Sequence, residues 1–243
     1  MTNLVIHGGR PLSGAVRING SKNASLPIMA AALLVEGPVV IGEVPQLTDV
    51  ETLRAVLDIL GVRSEWLAAE SSAPFSGTGK RALRLERVSE DNCEWPKDPA
   101  FDMRATICTL GPLLARRGWA RIPMPGGCDI GPRPIDLHVK GLEALGAKIK
   151  VENGFICAQA RRLKGAHIYL AGPRGSTVLG TANVLMAATL ATGTTVIEHA
   201  ACEPEVQDLI HFLNGCGASI SGAGTNTVVV EGLGKRRGRY LRG

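Results

Sequence analysis

Aromatic side chains make up only 4% of this 243-residue sequence, so its core has to be built from closely spaced aliphatic layers rather than around large rings. The six cysteines, Cys93, Cys108, Cys128, Cys157, Cys202 and Cys216, contain no C-x-x-C pair and no His spacing typical of zinc. That pattern argues against a metal site and against a thioredoxin-like redox motif. Long apolar runs are missing as well. The longest, Leu26 to Val35, is about ten residues and includes Pro27, too short to span a bilayer. The opening Met1-Thr-Asn-Leu-Val-Ile-His7 has neither the charged nor the apolar region of a secretory signal. Scattered thiols without such a signal imply a reduced, cytoplasmic protein. Acidic residues are absent from the last ten positions, which hold Lys235, Arg236, Arg237, Arg239 and Arg242. Without these five, 22 basic residues balance 22 acidic ones. The net charge of +5 therefore belongs to a tail, and neither a nucleic acid nor a membrane is expected as a partner.

Glycine and proline, by contrast, are plentiful and concentrated. Between Pro123 and His138 they bracket one thiol, Cys128, and Arg133, Asp136 and His138 follow it closely. Such a stretch cannot be a helix or an interior strand, and its backbone is free to approach a ligand. Ile135, Val139 and Leu142 then recur at helical spacing, which places Arg133-Pro134 at a helix mouth with proline in the first helical position. A helix mouth bearing an arginine attracts anions. The bland alternative for Cys128 is a buried, inert thiol beside an ordinary turn.

The chain also repeats itself. An Ala- and Leu-rich helix begins near Gly20-Ser-Lys-Asn-Ala-Ser-Leu-Pro27 and runs to Val35, followed by Gly37 and the strand Pro38-Val-Val-Ile41. A second helix opens with Thr48 and Glu51 at capping-box spacing and stops at Gly61. The same order recurs twice. In the second copy a helix from Arg104 to about Arg116 precedes Gly118, the strand Trp119–Ile122 and a helix closed near Leu145. In the third, a helix through Met186 precedes Gly193, the strand Thr194–Ile197 and a helix opened by Glu203-Pro204. Residues 67–80 read as a surface excursion, residues 1–19 as two short strands outside the repeat, and the segment after Gly232 shows no core face. If three units pack around one axis, their inner helices start together, gathering Lys22, Asn23, Arg104, Ser176, Thr177 and Val178. Cations at helix starts oppose the dipole, and an anionic ligand would relieve that opposition. The plainer reading of each is a solvated charge.

Taken together, Gly20–Pro27, Met103–Ile107, Gly126–His138 and Ala187–Thr195 resemble the enolpyruvyl transferases, most closely the members that act on UDP-N-acetylglucosamine. The resemblance covers nearly all of residues 1 to 232. It implies an α/β fold, an inside-out α/β barrel of three repeated units around a pseudo-threefold axis, over residues 20–232. Residues 1–19 would be strands of a second domain and residues 233–243 a basic tail, with that second domain otherwise absent. It implies phosphoenolpyruvate and UDP-N-acetylglucosamine as substrates, with no cofactor and no metal. Lys22 and Asn23 match positions that contact both substrates, and Arg104 an arginine near them. Cys128 matches a loop cysteine that donates a proton and can bond to phosphoenolpyruvate. Arg133, Pro134, Ile135, Asp136 and Leu137 match the segment that holds the nucleotide sugar, and Thr177 and Val178 match a Ser-Val pair on the nucleotide. Departures stand at Gly175 for a lysine, Leu179 for a glycine, His199 for an asparagine and Cys202 for an arginine. No base for the sugar hydroxyl is evident, so weak or no turnover is expected from these 243 residues alone, with a non-catalytic UDP-sugar binding module or paralogue as the alternative.

Overall fold

The computed structural model describes residues 5, 7–9, 11, 13–15, 18–67, 82–98, 103–126, 134–173, 175–234 and 241–242. The first unit starts where Ser21, in an extended conformation, accepts the Ala24 amide on its hydroxyl at 3.3 Å. Helix α1 (Lys22–Ala31) follows, tightening into a 3-10 turn at Ala32–Leu34. Every residue from Ala24 to Ala31 is buried, as an Ala-rich helix packed on all sides must be. Strands β1 (Val35–Glu36) and β2 (Pro38–Ile41), helix α2 (Thr48–Ile59), and strands β3 (Val62–Leu67) and β4 (Ala82–Arg87) complete the unit. Gly61, at φ +80, stops α2 and donates its amide to Asp58 at 3.0 Å.

The expected capping box does not form. Leu47 is the N-cap of α2 and Thr48 is already helical. The Glu51 carboxylate, which should have reached back, instead accepts from Arg54 at 2.6 Å and from Trp66 Nε1 at 3.0 Å.

In the second unit the single helix expected from Arg104 is a 3-10 segment, Arg104–Thr109, that passes into α3 (Leu110–Arg117). The Thr106 and Thr109 hydroxyls each donate to the carbonyl three residues back, at 2.7 and 2.8 Å, a local competition that favours the tighter turn. Gly118, at φ +77, caps α3. Strand β5 (Trp119–Pro123), helix α4 (Asp136–Ala144) and strands β6 (Lys148–Glu152) and β7 (Phe155–Gln159) follow. Proline is not the first helical residue of α4. Its N-cap is Ile135 and its first residue Asp136, because the Pro134 carbonyl accepts Arg104 Nη2 at 3.1 Å while Ile135 accepts the first helical amide, Val139, at 3.0 Å.

The third unit comprises strand β8 (His167–Tyr169), the small hairpin β9 (Ala171–Gly172) and β10 (Gly175–Ser176), helix α5 (Val178–Thr189), strand β11 (Thr192–Glu198), helix α6 (Pro204–Gly215) and strands β12 (Ser219–Ser221) and β13 (Thr227–Leu233). Glu203 caps α6 with Pro204 at its first position, as the sequence indicated. Each unit yields one antiparallel sheet in the same order, β2-β4-β3, β5-β7-β6 and β11-β13-β12, and β8 joins the last in parallel. A parallel bridge from Glu94 to Arg121 stands in the corresponding place beside β5.

The helices lie inside and the sheets outside. Helix α1, the 3-10 segment with α3, and α5 all touch one another. Each outer helix reaches the next unit's inner helix: α2 contacts the 3-10 segment, α4 contacts α5, and α6 contacts α1, so the third unit closes onto the first. This is the inside-out three-unit barrel that the family resemblance implied. Two glycines permit its close spacing. A Cβ at Gly141 would stand 2.3 Å from Val184 Cγ2, and one at Gly111 2.3 Å from the Asn183 carbonyl oxygen.

The end of the chain corrects the expectation of a tail with no core face. Leu241 is fully buried, and β14 (Leu241–Arg242) pairs in parallel with β1. The Arg242 amide donates to Cys216 at 2.8 Å. Alternate apolar positions of a two-residue strand give too little pattern to be recognised in sequence. The two strands expected in residues 1–19 fall largely outside the described residues, and Val5, Gly14, Ala15 and Ile18 carry no strand. The excursion at 67–80 lies outside them from residue 68 onward.

Candidate functional site

A cleft of about 430 Å³ opens where three elements converge. Arg104 enters it from the start of the 3-10 segment. Pro134, Asp136, Leu137 and His138 line it from the start of α4, and the β9–β10 hairpin with Ser176, Thr177, Val178 and Leu179 lines it from the start of α5. Two helix amino termini therefore border one cavity, each with amide hydrogens unused by its own ladder. Thr177 caps α5 by accepting the Gly180 amide on its hydroxyl at 3.2 Å. The Arg104 guanidinium, half-buried, ties the 3-10 segment to α4 through the Pro134 carbonyl.

Of the residues singled out in the sequence, the cleft gathers Arg104, Pro134, Asp136, Leu137, Thr177 and Val178. Ile135 is partly buried against the core and does not line it. Lys22 and Asn23 lie exposed at the start of α1, outside the lining, with Lys22 Nζ 2.7 Å from Asp49. Cys128 and Arg133 lie outside the described residues. Among the departures, Gly175 and Leu179 line the cleft. His199 instead stacks edge-on against Tyr169 at 4.6 Å, and Cys202 is exposed with its thiol toward the Ala200 carbonyl.

Sequence reasoning gave no role to one titratable lining residue, His138. His138 is only 2% exposed, and burial, with Arg104 adding to it, pushes its pKa down to about 3. Its Nδ1 lies 3.0 Å from Asn183 of α5. The single amide side chain in α5 was the available signal, since a buried amide needs partners.

Four of the five described thiols are poor nucleophiles by environment. Burial pushes Cys108 up to about 12, and it raises Cys93, Cys157 and Cys216 as well. No group of three or more potential metal ligands occurs among the described residues, and no helix there is long and apolar enough to cross a membrane.

The sequence matches the EPSP synthase (3-phosphoshikimate 1-carboxyvinyltransferase) family over residues 6–241. The chain belongs to this family. Among curated relatives, the UDP-N-acetylglucosamine 1-carboxyvinyltransferase of Akkermansia muciniphila is 48% identical over 239 residues, covering 98% of this chain and 53% of the relative. That of Nitratidesulfovibrio vulgaris is 47% identical, covering 98% and 53%. The chain thus spans about half the length of the curated relatives it matches. Among solved structures, the enolpyruvyl transferase NikO from Streptomyces tendae superposes with a TM-score of 0.76 at 24% identity, over 98% of this chain and 52% of that one. EPSP synthase from Acinetobacter baumannii gives 0.65 at 19%, over 95% and 48%. At those identities the likeness concerns the fold, and it is the fold of this carboxyvinyltransferase family.

Proposed function

We propose that this family member takes part in transfer of the enolpyruvyl group from phosphoenolpyruvate to the 3-hydroxyl of UDP-N-acetylglucosamine, with release of phosphate, as the first committed step of peptidoglycan synthesis in the cytoplasm. The observation that carries the reading is the cleft bordered by Arg104 and two helix amino termini, in a chain nearly half identical to carboxyvinyltransferases of that substrate. Helix starts and a guanidinium suit a diphosphate, and a cavity of this size falls in the range of small-molecule sites.

The reaction sets the remaining roles. The sugar hydroxyl oxygen adds to C2 of phosphoenolpyruvate, its own proton passing to solvent or to the departing phosphate, while C3 accepts a proton. Phosphate then leaves C2 as C3 gives a proton back, restoring the double bond. In this reading Cys128 supplies the proton to C3, a general-acid role. Lys22, Arg104 and Arg133 offset the phosphate and carboxylate charge. Asn23 contacts the substrates, and Pro134, Ile135, Asp136, Leu137, Thr177 and Val178 hold the nucleotide sugar. Lys22 would exchange its partner Asp49 for the more highly charged ligand.

A second reading, a UDP-sugar binding module without turnover, is favoured by one observation: Asp136, the first residue of α4, is the one carboxylate among the described lining residues. Isothermal titration with UDP-N-acetylglucosamine and a phosphate-release assay with both substrates separate the two. Binding with phosphate release supports transfer, binding without it supports the module, and no binding by the folded chain refutes both.

A further inference from the structure

The orientation of one buried amide determines what a wall of the cleft can offer. Asn183 is fully buried in α5, and two backbone groups decide which way its side chain faces. The Gly111 amide donates to Asn183 Oδ1 at 2.6 Å, and Asn183 Nδ2 donates to the Ile107 carbonyl at 2.8 Å. These contacts cannot be swapped, because a backbone N–H cannot accept and a carbonyl cannot donate. The same Nδ2 lies 3.0 Å from His138 Nδ1. Its second hydrogen therefore needs Nδ1 as an unprotonated acceptor, which leaves the proton of the neutral ring on Nε2. Close approach of α3 makes this possible, since a Cβ at Gly111 would also lie 2.6 Å from Asn183 Oδ1.

His138 Nε2 has no hydrogen-bond partner among the described residues, yet it is not among the buried, unpartnered polar atoms, and the residue lines the cleft. An N–H in such a place is a donor that no described residue meets. We propose that Asn183 is a positioning residue that holds His138 as the neutral Nε2–H tautomer, and that this N–H is a fixed donor to an oxygen acceptor of the nucleotide sugar. The second half of the proposal rests on the reading of the cleft as a UDP-N-acetylglucosamine site. The tautomer assignment does not.

The surroundings keep the ring neutral. Helix α5 brings no titratable group to it. The 3-10 segment brings Arg104 and Cys108, and of these Arg104 acts on the ring and opposes a second positive charge. Asp136, Lys140 and Glu143 on α4 itself, His167 and Tyr169 on β8, and Lys148, Lys150 and Glu152 on β6 exert no resolved influence on it. A neutral Nε2–H selects an acceptor and keeps selecting it across ordinary pH, whereas an imidazolium beside Arg104 would favour anions indiscriminately.

The test uses the full 243-residue chain labelled with ¹⁵N-histidine. His138 should show the Nε2–H tautomer pattern with no titration between about pH 5 and 8, and its Nε2–H resonance should shift when UDP-N-acetylglucosamine is added. An Asn183→Ser variant should show a tautomer mixture or a titrating ring. His138→Leu, which lacks the donor, should bind the nucleotide sugar roughly three- to tenfold more weakly than His138→Gln, which keeps a side-chain N–H. The Nδ1–H tautomer, or titration within that range, in the unmodified chain would overturn the lock. Binding that leaves the Nε2–H resonance unmoved, or equal affinities for the Leu and Gln variants, would overturn the donor role. A folded chain with the expected tautomer that binds no UDP-N-acetylglucosamine would overturn the reading of the cleft instead.

Discussion

A histidine kept neutral by burial leaves a signature in stability as well as in binding. In the folded chain the His138 pKa is pushed down to about 3, while in the unfolded chain it titrates near ~6.5. Its contribution is therefore fully present above about pH 6.5 and is lost as pH falls from there toward about 3, because only the unfolded chain takes up the proton readily. Chemical denaturation at stepped pH should show stability falling more steeply between about pH 6.5 and 4 in the unmodified chain than in His138→Gln, and equal slopes would contradict a ring kept neutral by burial. The thiols invite a second residue-scale expectation. With Cys93, Cys108, Cys157 and Cys216 all shifted up by burial, the epoxide fosfomycin should alkylate Cys128 in the presence of UDP-N-acetylglucosamine, and peptide mass spectra with the adduct chiefly on Cys93, Cys157 or exposed Cys202 would reject that assignment. What could be read in the sequence at this scale followed from local spacing: a cation before a helix, or a proline beside a glycine. The Asn183–His138 contact joins residues far apart in the chain, and no local pattern marks such a pair.

At the scale of elements, α4 carries Asp136, Leu137 and His138 into the cleft and is held against α5 at a distance that only glycine allows at position 141. Gly141→Ala would put a methyl 2.3 Å from Val184 Cγ2 and 3.3 Å from Leu170 Cδ1, so it should cost on the order of 1–3 kcal/mol by overpacking. Combining it with Val184→Ala should recover part of that loss, and a double-mutant cycle measured by urea denaturation reads the coupling directly. Strictly additive effects would show that the helices relax apart independently. Sequence reasoning placed the stops at Gly61 and Gly118 well, because a left-handed residue favours glycine wherever it occurs. It misplaced three starts or forms of helices. Arg104 claims the Pro134 carbonyl, Arg54 and Trp66 claim Glu51, and threonine hydroxyls tighten residues 104–109. Two of these are tertiary contacts that outweigh local preference, and the third is a side-chain competition within the turn.

For the molecule as a whole, the threefold repetition was legible because glycine, strand and amphipathic helix recur in one order, and burial of α1 and α5 on all sides was legible from their alanine content. The docking of Leu241 beside β1 was not, since it depends on where the fold leaves an edge open. The closing contact of α6 on α1 has a consequence for how the protein comes apart. A linear stack of repeats can fray from either end, one repeat at a time, because each interacts only with its neighbours. Three units in a closed circuit have no terminal repeat to lose, since removing any one strips a partner from both of the others. Native-state hydrogen exchange should therefore find the slowest amides of α1, α3 and α5 opening together at a single free energy. Three separate opening energies, graded along the chain, would mean that the circuit is closed in form but not in energy.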